Sequence, residues 1–393
     1  MPQFKRSKEP PKKYDVHKNL PQSYIPESRK RALEASKLAD QIDDKKPKKR
    51  RWIKRTILAV FFVLFIPSAI FVGWNAHNVA QASEKIFGTG NLTRLLIPTK
   101  LSSQDGRVNI LLVGYSKDDP GHAGAELTDS ILIMSLDTEK KTGYMLSVPR
   151  DLYIEIPGYG AAKINEAYQA GERSDFKENG YPNGGVGLLE KTISEKFAIE
   201  FHYYALINYG TVKDIVSALD GISVKIDSKD PRGIYDPNFR PREGGPLKLK
   251  NGVQKINASE ALRLTRARGS TFGSYGFAQS DFDRTKNQQA VIKGIKEELT
   301  WGLLLDPRKN PTIFNAFAEN IKTDIKLSEV VPLYRLFNDI SVDKLHSAGF
   351  RSDKVNLLPS YTTPTGQSAL VPNGGVNSYD EIKKYIEDLN KKY

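Results

Sequence analysis

The chain has 393 residues, 59 Lys and Arg against 46 Asp and Glu for a net charge of +13, no cysteine, and 39% hydrophobic residues. That length and apolar content allow one large domain or two ordinary ones and exclude a wholly disordered chain. The absence of cysteine excludes disulfides, Cys-ligated metal centres and a thiol nucleophile.

The charge is unevenly placed. Residues 1–55 carry 18 Lys and Arg and 7 Asp and Glu, a net of +11, which leaves 41 and 39 for residues 56–393, a net of +2. A basic, Pro-rich segment without long apolar runs buries too little surface to offset the entropy of ordering. It reads as a disordered tail with a short helix around Glu27–Gln41.

From Ile57 to Trp74 the chain is apolar but for Ser68, and no charged residue occurs between Arg55 and Glu84. Eighteen residues at about 1.5 Å each span roughly 27 Å, close to the hydrocarbon core of a bilayer. The segment therefore predicts a transmembrane helix, with Pro67 tolerated inside it and Trp52 and Trp74 at the two interfaces. The cluster KKPKKRRWIKR before it predicts a cytoplasmic N-terminus and an extracytoplasmic remainder. A cleaved signal peptide, suggested by Ala80-Gln81-Ala82, fits less well because the apolar run and the preceding region are too long. A buried core helix would not need the basic flank. The tail's charge then serves topology and anionic lipid, and nucleic acid is not expected as a partner.

Beyond a spacer with weak helical character, three short apolar runs predict strands: Val108–Val113, Ser130–Leu136 and Thr142–Val148, the last stopped by Pro149. Phe201–Ile207 reads as a strand, Tyr209–Leu219 as a helix and Gly221–Ile226 as a strand. The alternation predicts a layered α/β fold with a mixed sheet. Pro332–Ile340 and Tyr379–Leu389 read as helices, Lys354–Leu358 as an edge strand, and Pro359–Asn377 as loop.

Polar residues gather at element ends. Asp129 opens the second strand, and Arg150 and Asp151 lie past the carboxyl end of the third, where open α/β sheets place ligands. Asn257 to Glu260 forms a capping-box pattern for a helix that runs into Thr265-Arg266-Ala267-Arg268-Gly269. Once that helix unwinds, Arg266 and Arg268 point the same way. A Gly/Ser/Phe-rich loop follows, and Asp281 is a natural N-cap for the next helix. On that helix Asp281, Arg284 and Gln288 share a face continued by Val291, Ile295 and Leu299. Each residue alone reads as an ion pair or a cap. Together Arg150, Arg266, Arg268 and Arg284 suggest an anion site. The five histidines show no metal-ligand spacing. The sequons at Asn91 and Asn257 are short enough to arise by chance.

The succession of basic tail, apolar helix, LLVG, LTDSILIMSLD, LSVPRDLYIEIPGYGAAKINEAY, INYGTVKDIVSALDGISVKI, NASEALRLTRARG and DFDRTKNQQAVI resembles the LytR-CpsA-Psr family over roughly Arg107–Leu299. The resemblance implies a three-layer α/β/α sandwich on a membrane-anchored, extracytoplasmic enzyme. It further implies transfer of a glycan phosphate from a polyprenyl-pyrophosphate-linked glycan to a peptidoglycan acceptor, usually with Mg²⁺. By the same resemblance Arg150, Arg266, Arg268 and Arg284 form the pyrophosphate clamp and Gln288 hydrogen-bonds beside them. Asp129 is the implied Mg²⁺ ligand, and Asp281 orients the arginines or serves as base for the incoming hydroxyl. Such chemistry needs charge neutralisation and in-line positioning more than a protein nucleophile.

Two departures stand out. Gly114-Tyr115-Ser116 replaces the family's usual Gly-x-Asp, and Leu127 stands where Arg is common two residues before Asp129. Asp118 or Asp119 is the candidate replacement carboxylate. The loop between Arg268 and Asp281 is also longer than usual. The expected organisation is a tail at 1–55, a membrane helix at 56–79, a spacer at 80–106 and an extracytoplasmic domain at 107–393, whose core, 107–299, is completed by 300–393. The alternative is a polyprenyl-phosphate binding or regulatory protein in which Ser116 and Leu127 have removed transfer or left only pyrophosphatase activity.

Overall fold

A computed structural model describes residues 27, 31, 34, 76–86, 88–97, 99–115, 127–278, 281–300, 302–303, 306, 308–309, 312–313, 315–316, 321–351 and 355–393. The chain divides into Met1–Ile70 and Phe71–Tyr393. In the first unit Glu27, Arg31 and Glu34 are helical and exposed. The rest of the tail, and residues 56–75 of the segment expected to cross a membrane, lie outside the described residues. Among those described, no helix is long and apolar enough to cross a membrane.

The second unit is built on a six-stranded sheet. Strands β1 (Arg107–Tyr115), β2 (Thr128–Asp137) and β3 (Gly143–Val148) correspond to the three apolar runs. They pair antiparallel in sequence order. After the hairpin β4 (Tyr153–Ile156) and β5 (Gly160–Lys163) come helices α1 (Ala167–Arg173) and α2 (Gly185–Phe197). Strand β6 (Tyr203–Ile207) then returns parallel to β1. The fold class is thus α/β with a mixed sheet.

Alternation along the strands separates two cores. Leu111, Val113, Ile131, Ile133, Tyr144 and Leu146 face α2 and α7 (Asp380–Lys392), packing on Leu189, Ile193 and Ile386. The intervening Val108, Ile110, Leu132, Met134 and Met145 face α6 (Leu327–Asp339) through Leu333 and Leu336. Helices therefore cover both sheet faces. A third cluster lies beside this core, where α3 (Tyr209–Ala218) and α4 (Ala258–Arg266) pack on β7 (Ile222–Ile226) and β10 (Gly252–Ile256). Asn208 with Thr211, and Asn257 with Glu260, form reciprocal capping boxes that start α3 and α4.

Several expectations need correction. The strand read at Gly221–Ile226 is β7, which pairs with β10 in a separate two-stranded sheet. The helix read from Pro332 starts at Leu327; Pro332 sits inside it, although proline favours the first turn. Lys354–Leu358 is not a strand at its described positions. The sheet ends instead at β11 (Ile321–Thr323), antiparallel to β6, and β12 (Leu345–Gly349), parallel to β3. In LHSAG only Leu345 is fully buried, so β12 carries no apolar run to reveal it. Pro359–Asn377 contains the hairpin β13 (Ser360–Thr362) and β14 (Ser368–Leu370).

Candidate active site

Asp129, the second residue of β2, is 6% exposed. Its carboxylate accepts a hydrogen bond from Arg150 Nη1, and its main-chain carbonyl accepts one from Arg284 Nη2 at 2.9 Å. Arg150 lies two residues past the end of β3, and its Nε is 3.7 Å from Asp151 Oδ2. Lys163 Nζ donates to the other Asp151 oxygen at 2.9 Å. Arg284 projects from α5 (Asp281–Glu298) and is 4% exposed. It therefore acts from beneath, through the Asp129 backbone, whereas Arg150 keeps a partly exposed edge.

One turn along α5, Gln288 Oε1 accepts from Ser130 Oγ at 2.9 Å, and Gln288 Nε2 donates to the Thr265 carbonyl at 3.1 Å. Gln288 thus ties the start of β2 to the last turn of α4. The next residue on α4 is Arg266, whose Nη1 donates to Glu243 Oε1 at 2.9 Å. Ala267 then leaves the helix in extended conformation and points into the core, so Arg266 and Arg268 lie on the side away from it. Asp129, Arg150, Arg284 and Gln288 are therefore one connected network reaching Arg266 and Arg268 through Thr265. Helix α5 begins at Asp281 itself, so this residue is the first helical position rather than the cap before it. Its side chain lies outside the described part, as do Ser116, Asp118 and Asp119.

Three residues that the sequence reading passed over hold this arrangement. Asp236, at the end of β8 (Ile234–Asp236), accepts the backbone N–H groups of Arg268 and Gly269, each at 3.0 Å. Gly269 has φ +62°, and a Cβ there would lie 2.3 Å from Phe277, so both backbone and space require glycine. Arg263, 8% exposed, donates to the carbonyls of Gly244, Gly245 and Pro246 at 2.8–3.0 Å, fixing the turn after Glu243. Gln289, 2% exposed, donates to Met145 and Ala348 carbonyls and to Ser147 Oγ, fastening α5 to β3 and β12. The signals were present: Asp236-Pro237-Asn238 is an Asx-turn sequence, and Gln289 lies beside the expected buried stripe.

Four arginines and Lys163 stand against Asp129, Asp151, Asp236 and Glu243, and the guanidinium fork matches phosphate oxygens in pairs. Mg²⁺ is commonly held by one or two carboxylates together with water and phosphate oxygens, and Asp129 is the carboxylate placed to contribute among the described residues. Among the described residues no group of three metal-ligating side chains exists, so the rest of a near-octahedral shell falls to water and phosphate. The carboxylate of Asp129 also accepts from Arg150.

Comparison with known proteins adds an independent line. The pattern of the LytR_cpsA_psr family matches residues 70–368. The regulatory protein MsrR of Staphylococcus aureus (strain COL) is 27% identical over 301 residues, covering 72% of this chain and 76% of MsrR. The polyisoprenyl-teichoic acid–peptidoglycan teichoic acid transferase TagU of Enterococcus faecalis is 24% identical over 312 residues, 77% of this chain and 91% of TagU. Among solved structures, TagT bound to LI-WTA superposes with a TM-score of 0.52 at 22% identity, over 75% of this chain and 93% of TagT. TagT with bound octaprenyl pyrophosphate lipid gives 0.50 at 20% identity, over 74% and 93%.

Proposed function

The chain belongs to the LytR-CpsA-Psr family, and we propose that it is a phosphotransferase moving a glycopolymer from a polyprenyl-pyrophosphate carrier to peptidoglycan. The observation that carries this reading is the single network joining Asp129, Arg150, Arg284 and Gln288 to the Arg266-Ala267-Arg268 turn. Relatives named for teichoic acid transfer, and a family structure named for bound octaprenyl pyrophosphate, support the donor class.

In the proposed step an acceptor hydroxyl oxygen attacks the glycan-bearing phosphorus. A new P–O bond forms while the bridging P–O bond of the pyrophosphate breaks, and polyprenyl phosphate departs with the electron pair. The hydroxyl proton passes to a base, for which Asp281 at the start of α5 is our candidate. Arg150, Arg266 and Arg268 neutralise the phosphate oxygens as charge builds on the leaving group. Arg284 and Gln288 hold the Asp129 and Thr265 backbone in place. Mg²⁺ held at Asp129 would add to the neutralisation of the phosphate oxygens.

We further place the apolar segment at 56–79 in the membrane, with the tail inside the cell and the catalytic unit outside. An anchor would keep the site beside a donor that cannot leave the bilayer, which raises its effective concentration. The test uses full-length protein in vesicles containing polyprenyl-pyrophosphate-linked glycan, with peptidoglycan added. The proposal expects label to enter peptidoglycan as polyprenyl phosphate is released. Retention of intact lipid without release would instead mark a binding or regulatory protein.

A further inference from the structure

Helix α5 presents two faces. Arg284, Gln288 and Val291 turn toward the arginine network and the core, whereas Asp283, Lys286, Asn287, Ala290, Lys293 and Gly294 line an open groove of about 1440 Å³. Strand β7 and the turn after it form the facing wall, and Ser347 of β12 lies across it. Gly276–Ala278 closes one stretch of the lining, and these residues belong to the loop that follows Arg268. The groove begins at Asp283, next to Arg284, and follows α5 to Glu297, a run of roughly 21 Å at helical rise. No residue of the arginine network lines it, but Phe277 in its lining packs on Gly269, the residue after Arg268, so the groove adjoins the arginine turn there.

The lining selects among polymers. Lys225, Lys229, Lys286 and Lys293 face Asp227, Asp230, Asp283, Glu297 and Asp343, so the two signs nearly cancel. A polyanion gains no net attraction from such a wall. Ser223, Ser228, Asn287 and Ser347 add neutral donors and acceptors of the kind sugar hydroxyls use. Among the described residues no carboxylate bonds Lys293, which is half-buried, and burial lowers the pKa of its ammonium. A half-buried ammonium of this kind favours an incoming carboxylate.

Building on the transferase reading, we propose that this groove seats the acceptor. The occupant is a glycan strand bearing short peptides with both carboxylate and amino groups, one carboxylate against Lys293. Its hydroxyl is presented beside Phe277, where the groove adjoins the Arg268-Gly269 turn and the pyrophosphate held by the arginines.

The test pairs binding with kinetics, using full-length protein in detergent micelles. Sedimentation with insoluble peptidoglycan is expected to weaken about tenfold for Lys293→Glu and for Ala290→Trp, which fills the groove, and to hold for Arg268→Ala. In the transfer assay the acceptor KM of Lys293→Glu should rise by a similar factor while the donor KM holds. Thermal unfolding checks that the variants are folded, with Lys293→Ala as the milder substitution. If both groove variants sediment as the unmodified protein does, the proposal fails. A raised donor KM with unchanged acceptor KM would give the groove to the donor's polymer and also overturn it. If no variant or parent transfers glycan yet sedimentation depends on Lys293, the transferase reading falls and the groove assignment stands.

Discussion

Asp236 fixes Arg268 through its backbone. One carboxylate oxygen accepts the N–H of Arg268 and of Gly269, each at 3.0 Å, and the other accepts the N–H of Asn238 at 3.0 Å. With Asp236 only 2% exposed, the turn that presents the arginine pair is set before any ligand arrives. Asp236→Ala leaves buried donors unmatched, which costs about 1–3 kcal/mol of stability. It should also lower kcat/KM at least about tenfold, since small misplacements of positioning groups are costly. Asp236→Asn should recover part of that, because its amide oxygen can still accept the Arg268 and Gly269 N–H groups while its NH2 faces the Asn238 N–H. Wild-type kcat/KM in a folded Asp236→Ala variant would refute the positioning role.

The two prongs themselves should matter little to stability and much to function. Arg266 pairs with Glu243 at 2.9 Å with both side chains about a quarter exposed, a contact that contributes about 1 kcal/mol or less. Arg266→Ala and Arg268→Ala should therefore unfold close to the parent temperature while losing transfer by at least about a hundredfold. Lysine should not restore activity at either position, because a point charge cannot reproduce the paired fork. Measurement of label transferred to peptidoglycan decides it, and wild-type turnover in both alanine variants would remove the arginines from the site.

Asp129 links structure and charge more tightly. Its carboxylate is bonded by Arg150, and its carbonyl is bonded by Arg284. Asp129→Asn removes only the charge, taking from Arg150 the closer of its two described carboxylate partners, Asp151 being 3.7 Å away, in a site where Asp129 is 6% exposed. Breaking such a pair from one side costs about 3 kcal/mol. Thermal unfolding should show that loss, whereas Ser130→Ala, which removes one neutral bond to Gln288, should cost about 1 kcal/mol. Equal effects from the two substitutions would mean that the charge at Asp129 is not structurally used.

Much of this arrangement was legible because it rests on local rules. The strands were visible as apolar runs buried on both faces, and the capping box of α4 follows from Asn257 and Glu260 alone. The exit of Arg266 and Arg268 follows from a helix ending at residue 266. What escaped depends on distant partners. Asp236 meets Arg268 across 32 residues, and Gln289 meets Met145 across 144. Neither carries a periodic signal, because a single buried polar group is specified by its partner and not by its neighbours in sequence. Strand β12 escaped for a similar reason: it borrows its place from β3 instead of building its own apolar face.

A last prediction concerns pH. Glu190 on α2 is 6% exposed beneath the sheet, and burial, reinforced by the nearby Asp324 carboxylate, pushes its pKa from 4.5 up to about 8. Asp324 is itself pushed upward, chiefly by burial, and the Tyr204 phenol beside them is raised as well. Between about pH 4.5 and pH 8 the folded chain holds a proton on Glu190 that the unfolded chain has released. The native state therefore binds more protons, and stability must fall as pH rises through that window, on the order of a few kcal/mol in all. Glu190→Gln keeps the neutral shape at every pH, so its unfolding temperature should match the parent at pH 5 and exceed it at pH 9. The difference between the two proteins isolates Glu190 from other titrating groups. If the two unfolding temperatures stay parallel across that range, the carboxyl is ionised in the folded chain and the buried acid has been misassigned.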